Sequence, residues 1–242
     1  MIRTLCLDFG NTRLKAAIFE NENFAYEFVL PNDETATLQK ILEEHNPQKT
    51  ILSSVINHNP EIENILATGS RFHKLSHLTK ANFTTPAGKP ETIGSDRLAL
   101  CAAAVRFFPE KNNLVIALGS CITYNFINQS HEFLGGAISP GMEMRFKAMQ
   151  AFTAKLPLVK PEWNFPLIGY DTKTNMQSGV IAGIAFEIKG FIESYASKYG
   201  NFNAVLTGGD TGYFAGQLKN RIFADSNFLF KGLYALSETN NS

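Results

Sequence analysis

The sequence IRTLCLDFGNTRLKAAIF, residues 2–19, contains two apolar runs separated by one polar bend. Residues 2–8 and residues 14–19 are rich in the apolar and β-branched side chains that favour strands. The bend between them contains Gly10 followed by Asn11 and Thr12, and glycine and asparagine are typical of tight turns. The pattern therefore predicts a β-hairpin at the start of the chain.

A second copy of this pattern occurs near the middle of the chain. Leu114 to Leu118 form an apolar run, Gly119 and Ser120 follow it, and residues 122–127 are again apolar and rich in strand formers. Gly10 and Gly119 therefore hold the same position in the two hairpins. Such internal repetition predicts two similar lobes.

Strand and helix patterns alternate through the rest of the sequence. Strands are predicted at residues 50–56 and 204–206, and helices after Asp33, after Asp96, from Met142 and over Met176–Tyr199. The alternation predicts an α/β fold. We expect two lobes, each with a mixed five-stranded sheet flanked by helices. We place the first domain at residues 1–109 and the second at residues 110–242.

The composition excludes several classes of function. Lysine plus arginine total 22 and aspartate plus glutamate total 22, so no positive excess would attract nucleic acid or an anionic membrane. The longest apolar runs, such as Val180 to Phe186, are too short to span a bilayer. No signal-peptide pattern opens the sequence, and we expect a cytoplasmic protein. Cys6, Cys101 and Cys121 are widely spaced among apolar neighbours, which predicts buried reduced thiols.

The first bend has the chemistry of a phosphate site. Glycine lets backbone amides approach an anion, and a neighbouring carboxylate can hold Mg²⁺. Asp8 and Gly10 provide both groups within one hairpin. The chain contains no GxxxxGK[ST] run and no GxGxxG after its first strand, which disfavours a P-loop and a dinucleotide fold. Asp96 opens a predicted helix, where its ordinary role would be that of a cap.

Four motifs, taken in order and spacing, resemble those of type III pantothenate kinases. They are DFGNTRLK at residues 8–15, GSDR at 94–97, LGGAISPG at 134–141 and LTGGD at 206–210. Because they extend over nearly the whole chain, the match is more specific than any single motif. The resemblance implies the acetate and sugar kinase, Hsp70 and actin superfamily, with two RNase H-like lobes, ATP bound in a central cleft between them, and a homodimer.

The resemblance also implies a role for individual residues. Asp96 matches a general base that accepts the hydroxyl proton of pantothenate, so that ATP yields 4′-phosphopantothenate in the first step toward coenzyme A. Asp8 matches the Mg²⁺ carboxylate. The implied ATP contacts are Asp8, Phe9, Gly10, Asn11, Thr12, Arg13, Leu14, Lys15, Gly119, Ser120, Gly208 and Gly209. The implied pantothenate contacts are Ala87, Gly94, Ser95, Asp96, Arg97 and Thr172.

Three positions depart from the family pattern. Ala117 stands where the second phosphate motif usually has an aspartate that helps to hold K⁺ or NH₄⁺, and Asn125 stands where a second acidic residue is common. Ala87 occupies the place of a usual tyrosine. Because Ala117 offers no charge to offset the dehydration of a cation, we expect K⁺ or NH₄⁺ to be held weakly or not at all.

The resemblance leaves alternatives open. Beside an active kinase with reduced cation dependence, the chain could be a divergent member that keeps the fold but acts as a nucleotide-binding or regulatory accessory protein. The joint presence of Asp8, Asp96 and Arg97 argues against the second hypothesis. A third hypothesis, a kinase for a sugar or another small acid, is opposed by the GSDR motif. Taken singly, Thr172 could be a helix N-cap, Lys15 a solvated strand residue, and each glycine a turn residue.

Overall fold

The computed structural model describes residues 1–85, 88–218 and 222–241, and it contains two five-stranded sheets. The strands are β1 (Arg3–Phe9), β2 (Leu14–Glu20), β3 (Asn23–Leu30), β4 (Lys49–Ser54), β5 (Arg71–Lys74), β6 (Asn112–Leu118), β7 (Cys121–Ile127), β8 (Phe133–Pro140), β9 (Phe202–Thr207) and β10 (Phe223–Ala224). The α-helices are α1 (Thr35–His45), α2 (Glu61–Gly69), α3 (Ser95–Phe107), α4 (Met142–Ala151), α5 (Thr172–Gln177), α6 (Gly183–Lys198), α7 (Thr211–Phe214) and α8 (Phe228–Asn240). The predicted α/β class with two mixed sheets is confirmed.

The chain forms two compact units. The first contains Met1–Pro109, Ser130–Phe133 and the C-terminal segment from Asn227, and the second contains Glu110–Gln129 and Leu134–Ser226. The position between residues 109 and 110, where the sequence predicts a domain boundary, is the first place at which the chain passes from one unit to the other. The chain returns to the first unit for α8.

The first sheet has the strand order β3-β2-β1-β4-β5. β1 pairs antiparallel with β2 through the predicted hairpin and parallel with β4. Asp8, the next-to-last residue of β1, is paired with Lys15 on β2 and with Ser53 on β4. The register thus places an amine and a hydroxyl on either side of the Asp8 carboxylate.

The two faces of the first sheet pack against different helices, because successive side chains of a strand point to opposite faces. Leu7 belongs to a buried apolar cluster that contains Leu38 of α1. Cys6 belongs to a second cluster that contains Leu98 of α3. Asp8 follows the same alternation as Cys6, so its side chain lies on the face that α3 covers.

Helix α8 completes the first unit by packing on α3. A Cβ added to Gly232 would lie 1.9 Å from the carbonyl oxygen of Ala99, so the two helix backbones meet in direct contact. At the end of α8, the Asn241 side-chain amide donates a hydrogen bond of 2.9 Å to the carbonyl of Thr50 on β4. The C-terminal segment from Asn227 therefore helps to form the core that surrounds Asp8.

The second sheet repeats the connectivity of the first. Its order is β10-β9-β6-β7-β8, with β6 antiparallel to β7 and parallel to β9. Ala117 on β6 is the counterpart of Asp8, and its neighbours are Thr123 on β7 and Thr207 on β9. On the opposite face, Ile116 packs in a buried cluster with Ile184 of α6. The internal repeat predicted from the two hairpins is therefore confirmed.

The helix predicted over Met176–Tyr199 is interrupted. α5 begins after Asp171, whose Oδ1 accepts a hydrogen bond of 2.7 Å from the amide of Thr174 and caps the helix. A π-helical turn, Ser178–Ala182, then joins α5 to α6. The apolar spacing predicts a helix but does not distinguish α from π hydrogen bonding, because Met176, Val180 and Ile184 are buried in the α5, π-helical and α6 segments alike.

Two further expectations concern burial. Cys6 and Cys101 are buried as predicted, whereas Cys121 is only half-buried, because it follows directly on the exposed bend at Gly119. None of the helices in the described part of the chain has the length and apolar character needed to cross a membrane.

Candidate active site

Asp8 and Asp96 are brought together within the first unit. Asp96 lies in the first turn of α3, and the hydroxyl of the preceding Ser95 is 3.0 Å from the hydroxyl of Ser53. Ser95 Oγ also donates to the carbonyl of Ser54 at 3.1 Å. These hydroxyls fix the start of α3 to the end of β4, next to the strand that carries Asp8.

The electrostatics of the two carboxyl groups reflect this proximity. Burial, reinforced by the neighbouring charge of Asp96, raises the pKa of Asp8 from 3.8 to about 7, although Lys15 and a hydrogen bond from Ser53 act in the opposite direction. Burial also raises the pKa of Asp96, and the backbone amide and charge of Arg97 partly offset it. Two carboxylates that repel each other in a desolvated site are stabilised by a cation or by a shared proton.

Gly94 is required for the position of the Asp96 side chain. A Cβ added at residue 94 would lie 2.5 Å from Asp96 Oδ1, so any larger residue would push the carboxylate away. Ser95 is buried, while Asp96 and Arg97 remain partly exposed. The guanidinium carbon of Arg97 lies 5.4 Å from the centre of the Phe133 ring. The GSDR motif thus leaves a carboxylate and a guanidinium accessible side by side.

The first glycine bend is exposed where a ligand would need it. The amide of Gly10 donates to the carbonyl of Arg13 at 3.2 Å and closes the turn, while Asn11, Thr12 and Arg13 are exposed. Phe9 is completely buried, so only its backbone can contact a ligand. Leu14 and Lys15 are half-buried, and the Lys15 ammonium is 3.8 Å from Glu27.

The second unit contains two more glycine bends, one after β6 and one after β9, and the two bends are adjacent. Gly119 is exposed and its amide donates to the carbonyl of Cys121 at 3.1 Å. Gly208 has a left-handed backbone with φ of +99°, and a Cβ on it would lie 2.3 Å from the carbonyl oxygen of Leu118. Only glycine can occupy such a position. The residues following β6 and β9 are therefore adjacent, with Gly209 exposed beside them.

Ala117 lies between two hydroxyl-bearing residues in the sheet register, Thr123 on β7 and Thr207 on β9. The buried Oγ1 atoms of Thr207 and Thr211 have no hydrogen-bond partner among the described residues. Asn125 is fully buried and donates to the Val115 carbonyl and to Thr123 Oγ1, so its amide serves the sheet. Across the described ranges, no cluster of three or more histidine, cysteine, aspartate or glutamate side chains could hold a metal ion.

Two further candidates for acceptor binding are Thr172 and Ala87. Thr172 is exposed and is the first residue of α5 in the second unit, whereas Asp171 and not Thr172 provides the helix cap. Ala87 lies outside the described residues. Ser53 is not among the residues predicted from the sequence. Its position at the end of an apolar strand, on the same face as Ile51, is the pattern that indicates a polar group at this strand end.

Comparison with known proteins agrees with the motifs. The family model for type III pantothenate kinase matches residues 4–194. A type III pantothenate kinase from Christiangramia forsetii is 42% identical over 98% of this chain and 99% of its own length. One from Flavobacterium johnsoniae is 40% identical over 95% of each chain.

Structural comparison supports the fold. A protein from Campylobacter jejuni described as a Baf family transcriptional activator superimposes with a TM-score of 0.63 at 22% identity, over 98% of both chains. That likeness shows the architecture alone, whereas the family model and the relatives extend over most of the sequence. The chain belongs to the type III pantothenate kinase family.

Proposed function

We propose that this protein transfers the γ-phosphate of ATP to the primary hydroxyl of pantothenate, giving 4′-phosphopantothenate for coenzyme A synthesis. Membership of the family supports the reaction. The observation that supports its assignment to residues is the pair of carboxylates Asp8 and Asp96, which come from separate motifs. Burial raises the pKa of both, and the charge of Asp96 raises that of Asp8 further.

Asp96 is proposed as the general base. A carboxylate whose pKa is raised by burial is a stronger base than an exposed one, and it accepts a proton more readily from an attacking alcohol. The bare Cα of Gly94 leaves room for the Asp96 carboxylate. Arg97, the next residue, can bind the carboxylate of pantothenate with two parallel hydrogen bonds. Gly94, Ser95 and Thr172 are proposed as further acceptor contacts, as is Ala87.

Asp8 is proposed to hold Mg²⁺. An aspartate is a preferred ligand of this ion, and the pairing of Asp8 with Ser53 and Lys15 surrounds it with polar groups. When bound, Mg²⁺ would neutralise negative charge on the transferred phosphoryl group. We assign the phosphate contacts to the backbone of residues 8–15 and to Gly119 and Ser120, and the adenosine contacts to Gly208 and Gly209.

A site for K⁺ or NH₄⁺ does not fit the residues at Ala117. The alanine side chain supplies no oxygen, and its register neighbours Thr123 and Thr207 supply dipoles without a charge. Because neutral dipoles offset only part of the dehydration of an ion, no step of the proposed reaction passes through a monovalent cation.

Two other properties stay proposals. A homodimer would cover large apolar side chains that the second unit exposes, including Phe152 at 88%, Ile168 at 86% and Tyr170 at 81%, since such patches commonly mark interfaces. Sedimentation analysis would measure the oligomeric state. The cytoplasmic location expected from the sequence also remains a prediction.

The decisive experiment substitutes Asp96 by Asn and measures both turnover and binding. Loss of a general base lowers kcat by about two to four orders of magnitude, while ATP affinity measured by calorimetry should stay close to that of the original protein. Glu91→Gln, at an exposed position shortly before the same helix, is the matched control and should retain full activity.

Two outcomes would contradict the proposal. If Asp96→Asn keeps its turnover, Asp96 is only a helix-start residue. If the unmodified protein binds ATP and pantothenate but forms no phosphopantothenate, the regulatory alternative gains support over the kinase.

A further inference from the structure

A carboxylate-centred cluster in the second unit takes no part in the chemistry proposed above. Glu187 of α6 accepts hydrogen bonds at Oε1 from the Tyr124 hydroxyl at 2.8 Å and from Ser139 Oγ at 2.6 Å. Its Oε2 forms an ion pair of 2.5 Å with Arg145 of α4. One carboxylate therefore joins β7, β8, α4 and α6.

The charge state of Glu187 is set by these donors. Burial acts to raise the pKa of this half-buried group, but the bonds from Ser139, Arg145 and Tyr124 outweigh it and bring the pKa below its ordinary value. The ionised form is consequently the one that holds the cluster together. A charge-assisted hydrogen bond of this kind is stronger than a bond between neutral partners.

The cluster is connected to the turn at Gly119 and Ser120 through the segment Ser139-Pro140-Gly141. Arg145 donates from Nε to the carbonyl of Pro140 at 2.8 Å and from Nη2 to Ser139 Oγ at 3.1 Å. The amide of Gly141 in turn donates to the carbonyl of Ser120 at 3.0 Å. Hydrogen bonds therefore connect Glu187 to this segment, and the segment to the turn.

The fit between this segment and the turn is also tight in space. A Cβ on Gly141 would lie 2.2 Å from the carbonyl oxygen of Gly119 and 2.7 Å from that of Ser120. There is no free volume between the segment and the turn at this point. A displacement of Ser139 or Pro140 would therefore change the position of the Gly119 amide.

The other side of the cluster is rigid. Tyr124 is completely buried and its ring stacks on Phe191 with the ring centres 3.9 Å apart. A Cβ on Gly136 of β8 would lie 1.8 Å from the Tyr124 carbonyl oxygen. Glu187 is anchored on this rigid side by Tyr124, so its ion pair with Arg145 acts on the segment that contacts the turn.

We infer that Glu187 and Arg145 are positioning residues that hold the Gly119-Ser120 turn in place for the phosphates of ATP. The inference rests on the proposed role of that turn. A partly buried ion pair contributes little to stability as a rule, because desolvation offsets its attraction. Its effect here is expected on the geometry of the turn, and so on the affinity for nucleotide.

The test is Glu187→Gln, which keeps the size of the side chain and its acceptor for Tyr124 and Ser139 but places a neutral amide against Arg145. We expect the Kd for ATP, measured by calorimetry, and the KM for ATP to rise roughly tenfold, a fraction of the ~100-fold loss that misplacement of a binding group can cause. The KM for pantothenate should not change. Arg145→Gln should give the same selective loss.

Two further variants make the test specific. The double variant Glu187→Gln with Arg145→Gln should lose less ATP affinity than the sum of the two single losses, because the two residues share one ion pair. Glu162→Gln removes the carboxylate of the exposed Lys173–Glu162 pair in the same unit and should leave both KM values unchanged.

The inference is overturned if Glu187→Gln lowers the melting temperature while the Kd for ATP stays the same, or if the KM values for ATP and pantothenate rise together. Should Glu187→Gln fail to fold, Ser139→Ala removes one link only, and an unchanged Kd for ATP in that variant overturns the inference as well. ATP binding requires no acceptor, so it can be lost or kept independently of pantothenate turnover. An original protein that binds no ATP would overturn both proposals.

Discussion

At the scale of single residues, Asp8 shows how a position that we propose to bind Mg²⁺ can reduce stability. Its neighbours in the sheet register are Lys15 and Ser53, yet burial and the Asp96 charge raise its pKa to about 7. Between its ordinary pKa of 3.8 and about 7, the folded protein retains a proton that the unfolded chain releases. Stability therefore falls as the pH rises through this interval and remains reduced above it.

Asp8→Asn should accordingly stabilise the protein in the absence of magnesium and nucleotide. The gain should be present at pH 8 and absent near pH ~3, below both pKa values, where Asp8 is protonated in the folded and in the unfolded chain. Its size is at most about 4 kcal/mol, the equivalent of three pKa units, and solvent contact reduces it. Thermal unfolding across this pH range measures it, with Glu43→Gln on the exposed side of α1 as control. Equal melting temperatures of Asp8→Asn and the original protein at pH 8 would show that the Asp8 carboxylate does not destabilise the fold.

Ala117 gives a second prediction at this scale. Because the residue lacks a carboxylate and its neighbours in the sheet register, Thr123 and Thr207, are neutral, turnover should be the same in K⁺, NH₄⁺ or Na⁺ salts at constant ionic strength. The measurement is the initial rate of phosphopantothenate formation in each salt. A strict requirement for K⁺ or NH₄⁺ would mean that other oxygens hold the ion and that the role of Ala117 is misassigned.

At the scale of elements, the contact between α3 and α8 depends on one glycine. Glycine inside a helix normally costs about 1 kcal/mol relative to alanine. At Gly232 the added methyl group would meet the Ala99 carbonyl, and such overpacking costs about 1–3 kcal/mol. Gly232→Ala should therefore lower the melting temperature. A Cβ added to Gly190 on α6 would meet no atom within 4 Å among the described residues, and Gly190→Ala should raise it.

Calorimetric unfolding of the two alanine variants decides between packing and propensity. Opposite shifts are expected, because the same substitution occurs in two helices with different surroundings. If both variants gain stability, α8 does not pack against α3 as closely as the structure indicates.

The sequence predicts those elements whose pattern is regular. β1, β2, β6 and β7 are identified by apolar runs around a glycine bend, and α4 begins at Met142 as expected. α2 is missed because only Ile62 and Leu66 of its nine residues are buried, which is too short a stripe to stand out. β10 has two exposed residues and no apolar pattern that would mark a strand.

The residues discussed as functional also differ in whether the sequence pattern identifies them. Asp8 and Asp96 are candidates because they lie in short motifs, and in the first unit the charge of Asp96 acts on Asp8. Their roles stay predictions. The Glu187 cluster cannot be identified from the sequence, because its partners Tyr124 and Ser139 lie 63 and 48 residues away. Side-chain hydrogen bonds over such separations leave no periodic pattern.

At the scale of the whole molecule, each compact unit is built from segments that are far apart in the sequence. The first unit takes its last helix from the end of the sequence, so neither compact unit is a single continuous segment. Phe230, Leu233, Tyr234 and Leu236 of α8 are buried in the cluster that contains Cys6. By contrast, the described core cluster of the second sheet contains no residue of α8.

In a chain truncated after Ser226, which lacks α8, the first unit should therefore fail to fold. Burial of one large apolar side chain contributes about 1.5–3 kcal/mol, so four of them match the roughly 5–15 kcal/mol by which native domains are stable. Limited proteolysis with mass spectrometry should show rapid cleavage within residues 1–109, while peptides from the second unit survive longer. A synthetic peptide of residues 227–242 should restore protection, because it supplies the apolar side chains that pack on α3, β1 and β4. If the shortened chain resists protease as well as the full chain, α8 is an accessory of the first unit and not a part of its core.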